Sequence, residues 1–230
     1  MIASSPQGIG VIIAAAGEGR RMGGVDKVFV PLGGRSILVR VIDVFASMPQ
    51  VEQIVAVVSE TNLERCRGLL IAARWSTPVT CCRGGRRRQD SVAAGLKLLN
   101  GCGWVIVHDG ARPLVTHDLI TRGLEAATET GAAVAAVPVS DTIKQATEEL
   151  LVRRTLPRRE LWAAQTPQVF RYDIIMQAYQ NPAVEVTDDA SLVEALGCPV
   201  KLYMGSYDNI KVTGPGDLDV AEALLRKDEK

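Results

Sequence analysis

Ile9-Gly10-Val11-Ile12-Ile13-Ala14-Ala15-Ala16-Gly17-Glu18-Gly19-Arg20-Arg21-Met22-Gly23-Gly24 is the stretch whose reading decides the fold. From Gly10 to Ala16 the residues are apolar without alternation, as in a strand buried on both faces. A glycine-rich turn follows at once, where the backbone can present its N–H groups to an anion because no Cβ blocks approach. Outward from this stretch the pattern repeats. Ser36 is placed to cap a helix with Ile37, Val41, Ile42 and Phe45 on one face. Ile54 to Val58 reads as a strand, Leu63 to Ala73 as a helix, and Val79 to Cys82 as a short strand leading to Gly84-Gly85-Arg86-Arg87-Arg88. Asp90 to Leu99 returns to helix, and Trp104 to Val107 is a strand ending in His108-Asp109-Gly110-Ala111-Arg112-Pro113. Leu119 to Glu129 follows as helix and Ala132 to Val139 as strand.

The second half is less regular. Ser140 to Glu160 is charged, with Thr and Leu in loose alternation and a proline at 157, and predicts an exposed hairpin or arm. Beyond it come a polar turn at Thr166-Pro167-Gln168 and helices near Tyr172 to Tyr179 and Thr187 to Leu196. A strand at Val200 to Met204 and a final helix over Asp217 to Lys227 complete the chain. Apolar strands alternating with helices predict an α/β fold, with a mainly parallel sheet covered on both faces. Ligands then bind beyond the carboxyl ends of the strands, where the glycine turns and Asp109 fall. No linker divides residues 1–230. The expectation is one domain with an arm at 140–162 and a disordered stretch at 1–8.

Composition narrows the function. Lys plus Arg and Asp plus Glu both number 26, so the formal net charge is zero. That balance argues against a nucleic-acid or membrane-surface partner. Only 4% of residues are aromatic, too few for a base-stacking platform. Cys66, Cys81, Cys82, Cys102 and Cys198 show no C-x-x-C spacing and read as reduced thiols of a cytoplasmic protein. Ile9 to Ala16 could imitate a signal peptide, but Met1 to Gly8 carries no Lys or Arg. No plastid transit pattern is visible, and no run reaches the roughly 20 apolar residues of a membrane span.

Four groups of residues could carry chemistry. The loop after the first strand has Arg20, Arg21 and Lys27 at its mouth, but fits neither the Rossmann nor the Walker spacing. It reads either as a phosphate loop of another kind or as a plain strand-to-helix turn. Asp109, at a strand's carboxyl end, could hold Mg²⁺ against a nucleotide phosphate, or could merely cap the next turn. His108 reads as structural, and Arg112 as a candidate phosphate contact. Arg83, Arg86, Arg87 and Arg88 are by default a solvated face, yet Gly84-Gly85 before them and Asp90-Ser91 after them suit a nucleobase or ribose. Arg158 and Lys211 form the fourth group, and Lys211 sits in an otherwise apolar stretch.

Taken in order, these segments resemble the 2-C-methyl-D-erythritol 4-phosphate cytidylyltransferase family. The resemblance rests on Ala14 to Met22 with Lys27, Gly84-Gly85 with Asp90-Ser91-Val92, Val107 to Pro113, and Pro138 to Lys144. Trp162 with Thr166-Pro167-Gln168, Thr187 to Ser191, and Asp208 to Thr213 complete it. It implies a Rossmann-like nucleotidyltransferase fold and a homodimer whose arm hooks over the partner subunit. It further implies that CTP and methylerythritol 4-phosphate give the CDP-polyol and pyrophosphate, with Mg²⁺, in non-mevalonate isoprenoid synthesis. On the family's pattern Arg21, Lys27, Arg158 and Lys211 are catalytic. CTP falls to Ala15, Ala16, Gly17, Gly19, Gly85 and Ser91, and the polyol phosphate to Asp109, Arg112, Thr142, Thr166 and Thr187. Asp109 is also the metal-contacting carboxylate. The cations are expected to converge on one cleft, where phosphates rather than acidic side chains balance them. Asp26 before Lys27 and the basic Arg86 and Arg87 depart from the pattern. The rival readings are a ribitol 5-phosphate cytidylyltransferase, a sugar-1-phosphate nucleotidyltransferase using another base, and a non-catalytic nucleotide sensor.

Overall fold

The computed structural model describes residues 8–17, 26–180 and 186–228. Strand β1 (Ile9–Ala15) is followed by a 3-10 turn at Lys27–Phe29, the short strands β2 (Pro31–Leu32) and β3 (Arg35–Ser36), and helix α1 (Ile37–Ala46). Then come β4 (Val51–Val58), α2 (Leu63–Ala73), β5 (Val79–Arg83), α3 (Arg88–Leu96), β6 (Trp104–Asp109), α4 (His117–Thr130) and β7 (Ala132–Pro138). A hairpin of β8 (Lys144–Ala146) and β9 (Val152–Thr155) precedes β10 (Trp162–Arg171), α5 (Tyr172–Ala178), α6 (Ala190–Ala195), β11 (Lys201–Met204) and α7 (Pro215–Asp228).

Seven strands form the main sheet in the order β11-β7-β10-β6-β1-β4-β5. β1 lies parallel to both β4 and β6, so the chain runs to one side through β4 and β5 and then crosses to the other. That reversal leaves a crevice at the carboxyl end of β1. β10 is antiparallel to both of its neighbours, β6 and β7.

Period-2 geometry splits each apolar strand between two cores. Val11, Ile13 and Ala15 of β1 join Ile54, Ala56, Val58 and Ile106 in a core with α1 and α4 residues such as Val41, Phe45 and Leu119. Ile12 joins Val55, Val57, Val105 and Val107 in the opposite core, packed with Val92 and Leu96 of α3 and Ile175 of α5. A third cluster of Leu32, Ile37, Val212 and Ala221 fastens α7 against β2. Ser36 caps α1 as its position predicts, accepting from Val39 N at 3.4 Å.

Several local expectations change. Thr166-Pro167-Gln168 is not a turn but part of β10, where the pairing with β7 shifts register between Ala164 and Gln168. The irregularity admits a proline, because no ladder hydrogen bond is required of it there. Val28-Phe29-Val30 looks strand-like but is wound into the 3-10 turn and its cap, because Asp26 Oδ1 accepts from Val28 N at 3.3 Å. α6 begins at Ala190 rather than Thr187, because Asp188 Oδ1 accepts from Ser191 N at 3.1 Å and closes the chain into a cap. The expectation of disorder over 1–8 fails at Gly8, which is buried and whose carbonyl accepts from Gly103 N at 2.9 Å; residues 1–7 lie outside the described residues. Within the segment expected to be an arm, β8 and β9 pair as an antiparallel hairpin with Leu150, Leu151 and Val152 exposed, whereas Trp162 at its end belongs to β10 of the main sheet.

Candidate active site

Asp109 is the last residue of β6, and its backbone N–H donates to Thr166 Oγ1 at 3.0 Å. Its carboxylate is 7% exposed and faces cations from separate parts of the chain. Lys211 Nζ lies 2.7 Å from Oδ2, Arg88 Nε 3.3 Å from Oδ1, and Arg112 Nε 3.8 Å from Oδ2. The Arg112 separation is an ionic contact, too long for a hydrogen bond. Burial alone would raise the Asp109 pKa, but Lys211, Arg88 and Arg112 together hold the carboxyl well below the usual carboxylate range. Lys211 is set in place by its neighbour Val212, which is fully buried and donates its N–H to Ala111 O at 2.8 Å.

Arg88 opens α3 and bridges two carboxylates. Besides Asp109, its Nη1 lies 2.6 Å from Oδ2 of the buried Asp189. Burial opposes its charge, but Asp189 and Asp109 outweigh burial and keep the guanidinium pKa above its ordinary value. Burial likewise pushes Asp189 up, against the pull of Arg88 and of the Tyr179 hydroxyl, which donates to Asp189 Oδ1 at 2.5 Å.

Of these groups, Arg88, Asp109 and Lys211 line a cavity of about 790 Å³ at the carboxyl edge of the sheet. Ala15, Ala16, Gly17, Lys27, Gly85, Ser91, Asp109 and Lys211 line it, as do Arg86, Arg87 and Arg88. The glycines are required by close approach. A Cβ on Gly84 would stand 2.4 Å from the Ala16 Cβ, and one on Gly85 would stand 2.3 Å from the Asp90 Cβ. Ser91 shapes this loop, its Oγ accepting from Gly85 N at 3.2 Å. Asp90 accepts from Arg87 N at 3.1 Å, and Arg87 Nη2 lies 2.6 Å from Asp90.

The other candidate residues lie elsewhere. Arg112 sits behind Asp109, donating from Nη1 to Asn209 O at 2.7 Å. Thr166 is buried beneath Asp109 and does not line the cavity. Thr142 and Thr187 are exposed and outside the lining. So is Arg158, whose Nη1 donates to Ser140 O at 2.6 Å. Gly19, Arg20 and Arg21 lie outside the described residues. His108 is structural: it is fully buried, its Nε2 is 3.1 Å from Arg112 O, and its ring packs on Phe45. Burial pulls its pKa down to about 4. Asp26 serves the fold, accepting from Asn62 Nδ2 at 2.6 Å.

The expectation that phosphates alone balance the cations is corrected here. Asp109 and Asp189 already pair with Lys211 and Arg88. Sequence reasoning gave no role to Asp189, Gln89, Gln168 or Asn209. None carried a local signal: each has polar or charged residues within two positions in sequence, and only the fold buries it. Asn209, for example, is fully buried and donates to Thr166 O at 2.8 Å, tying the Lys211 segment to β10. Among the described residues no three His, Cys, Asp or Glu side chains cluster to hold a metal. A Mg²⁺ completed by water and phosphate oxygens would need only one carboxylate from the chain, and Asp109, whose oxygens also face Lys211 and Arg88, is the candidate.

A mostly parallel sheet that ends in a glycine-walled, cation-floored cavity large enough for a nucleoside triphosphate defines a nucleotidyltransferase. The sequence matches the profile of 2-C-methyl-D-erythritol 4-phosphate cytidylyltransferase over residues 9–227. The enzyme of that name from Dehalococcoides mccartyi is 51% identical over 219 residues, covering 95% of this chain and 96% of the relative. That from Halalkalibacterium halodurans is 46% identical over 224 residues, covering 96% and 98%. Among solved structures, the 4-diphosphocytidyl-2C-methyl-D-erythritol synthase of Anaerococcus prevotii superposes with a TM-score of 0.85 at 28% identity, covering 96% of this chain and all of that one. The Thermus thermophilus cytidylyltransferase gives 0.77 at 34% identity, covering 95% and 99%. The chain belongs to the 2-C-methyl-D-erythritol 4-phosphate cytidylyltransferase family.

Proposed function

We propose that the cavity at the carboxyl edge of the sheet binds CTP and that the acceptor phosphate approaches from the Lys211 end. The family's reaction joins CTP to methylerythritol 4-phosphate, releasing pyrophosphate, in non-mevalonate isoprenoid synthesis. Gly85 and Ser91 form the wall suited to the cytosine, and Ala15 to Gly17 with Lys27 the wall suited to the triphosphate. The acceptor brings its own nucleophile, an anionic phosphate oxygen, so no general base is needed. A sealed, neutral His108 is consistent with that chemistry. The barrier is repulsion between two anions, and Arg21 and Lys27 would stabilise the charge that gathers on the α-phosphate and the departing pyrophosphate. Lys211, held by Asp109, and Arg158 would keep the attacking phosphate in line. Arg112, Thr142, Thr166 and Thr187 would complete the polyol-phosphate contacts. Asp109 is the residue that would hold Mg²⁺; when bound, the ion neutralises triphosphate oxygens.

Thr142 and Arg158 lie outside the single-chain cavity, which supports a homodimer whose arm, 140–162, reaches a partner's site. The exposed Leu150, Leu151 and Val152 suit such a contact. We place the protein in the cytoplasm, where its five cysteines remain thiols; no helix of the described residues is long and apolar enough to cross a membrane.

The observation that carries this reading is the Lys211–Asp109 pair, 2.7 Å apart, at the end of a cavity walled by Gly84-Gly85. Pyrophosphate release with CTP against methylerythritol, ribitol and glycerol phosphates tests it. The expected result is release with methylerythritol 4-phosphate. Release only with ribitol phosphate, or none with any acceptor, would refute it.

A further inference from the structure

Thr187 lies in a short segment, 186–190, whose position is set from outside. Two adjacent side chains of α3 hold it. Gln89, nearly fully buried, accepts on Oε1 from Val186 N at 3.0 Å. Arg88 grips Asp189 at 2.6 Å. From the opposite side Gln168 of β10, also buried, accepts on Oε1 from both Asp189 N and Ala190 N at 3.2 Å. Its Nε2 donates to Asp188 Oδ2 at 2.9 Å. Thr187 therefore stands between two points, Val186 and Asp189, that the first turn of α3 holds. The same turn belongs to the nucleotide wall, since Arg87, Arg88 and Ser91 line the cavity and Ser91 fixes Gly85. Gln89 does not line the cavity.

We propose that Arg88 and Gln89 are positioning residues that couple the two substrate sites: the first turn of α3 sets the 186–189 segment, and hence Thr187, relative to the nucleotide loop. The inference rests on the reading of Thr187 as an acceptor contact. Any displacement of the Gly84–Gly85 loop by a bound nucleotide would pass to the start of α3, and with it to the groups that hold Val186 and Asp189. Coupling of this kind is reciprocal and typically amounts to roughly 5- to 150-fold in affinity. Loss of one buried hydrogen bond of the clamp falls at about tenfold.

Gln89→Leu removes the acceptor for Val186 N, and Gln89→Ala is carried beside it in case leucine does not pack. The CTP dissociation constant is measured by calorimetry without acceptor, and the acceptor KM at saturating CTP. The expected result is an acceptor KM raised about tenfold with CTP affinity within about twofold of the parent. A merely structural role would weaken CTP binding in parallel, and that result overturns the proposal. An unchanged acceptor KM overturns it too. Thr187→Ala separates the two readings. If it raises the acceptor KM while both Gln89 variants do not, the clamp is wrong and the acceptor contact stands. If Thr187→Ala leaves that KM unchanged, the acceptor reading fails and the coupling with it.

Discussion

Replacing Asp109 by Asn keeps the side chain's shape and removes the charge on which Lys211, Arg88 and Arg112 converge. Removing one member of a buried ion pair costs about 3–5 kcal/mol, because the remaining charge is left uncompensated. The lower end applies here. The Lys211 side chain is 40% exposed, so water screens it, and Arg88 keeps Asp189. A loss of about 3 kcal/mol at pH 7 corresponds to a fall in Tm of about 6–12 °C for a chain of this size. The pH dependence gives a second reading. The folded carboxyl titrates below its unfolded value, so its contribution is complete above that value and is lost as pH falls through it toward the folded one. With an unfolded pKa of about 3.9, the parent loses about 1 kcal/mol of this term by pH 3, and the Asn variant has no such term to lose. Urea melts at pH 7 and pH 3, analysed with a common m-value, measure both quantities. A difference below about 1 kcal/mol at pH 7, or one that does not narrow toward pH 3, would refute the view of Asp109 as the charge that organises the site.

Lys211→Ala and Lys27→Ala should each lower turnover by about 10²–10³ in a pyrophosphate-release assay, while circular dichroism shows a folded protein. Near-normal turnover removes that residue from the mechanism. His108 resists protonation in the fold, so the unfolded chain takes up its proton first as pH falls. Stability should therefore drop by up to about 3 kcal/mol between pH 6.5 and 4, and the pH–rate profile should show no His108 inflection between pH 5 and 8. Burial pushes the Cys66 thiol up to about 12, so a bulky aromatic disulfide reagent should label it only after urea is added; labelling in the native protein would refute that.

The sheet was legible because its central strands are continuous apolar runs, and burial on both faces leaves little else for Val105-Ile106-Val107 or Ala132 to Val137 to be. β10 was not, because its middle is polar. Gln165, Thr166 and Gln168 are buried through side-chain hydrogen bonds to Asn209, Asp109 and Asp188–Ala190, partners 20 to 57 residues away in sequence. A local pattern sees only the polarity and predicts a turn. The same blindness hid Asp189. Its carboxylate pairs with Arg88, 101 residues distant, and neither residue type has a reason to be buried without the other.

This distance-spanning pairing also changes how the balance of charge in the cavity is understood. A site of bare cations would hold them apart only at the expense of their mutual repulsion, and each would wander until a phosphate arrived. Here Asp109 faces three cations, and Asp189 shares Arg88 with it. The excess of positive charge is thus reduced rather than cancelled, and Lys211 and Arg88 are held by ion pairs without any substrate. Such preorganisation lets charge developing in the reaction meet groups already in place, which is where electrostatic catalysis gains most. On the proposed reading, the carboxylates hold the cationic floor in place for the phosphates rather than opposing them.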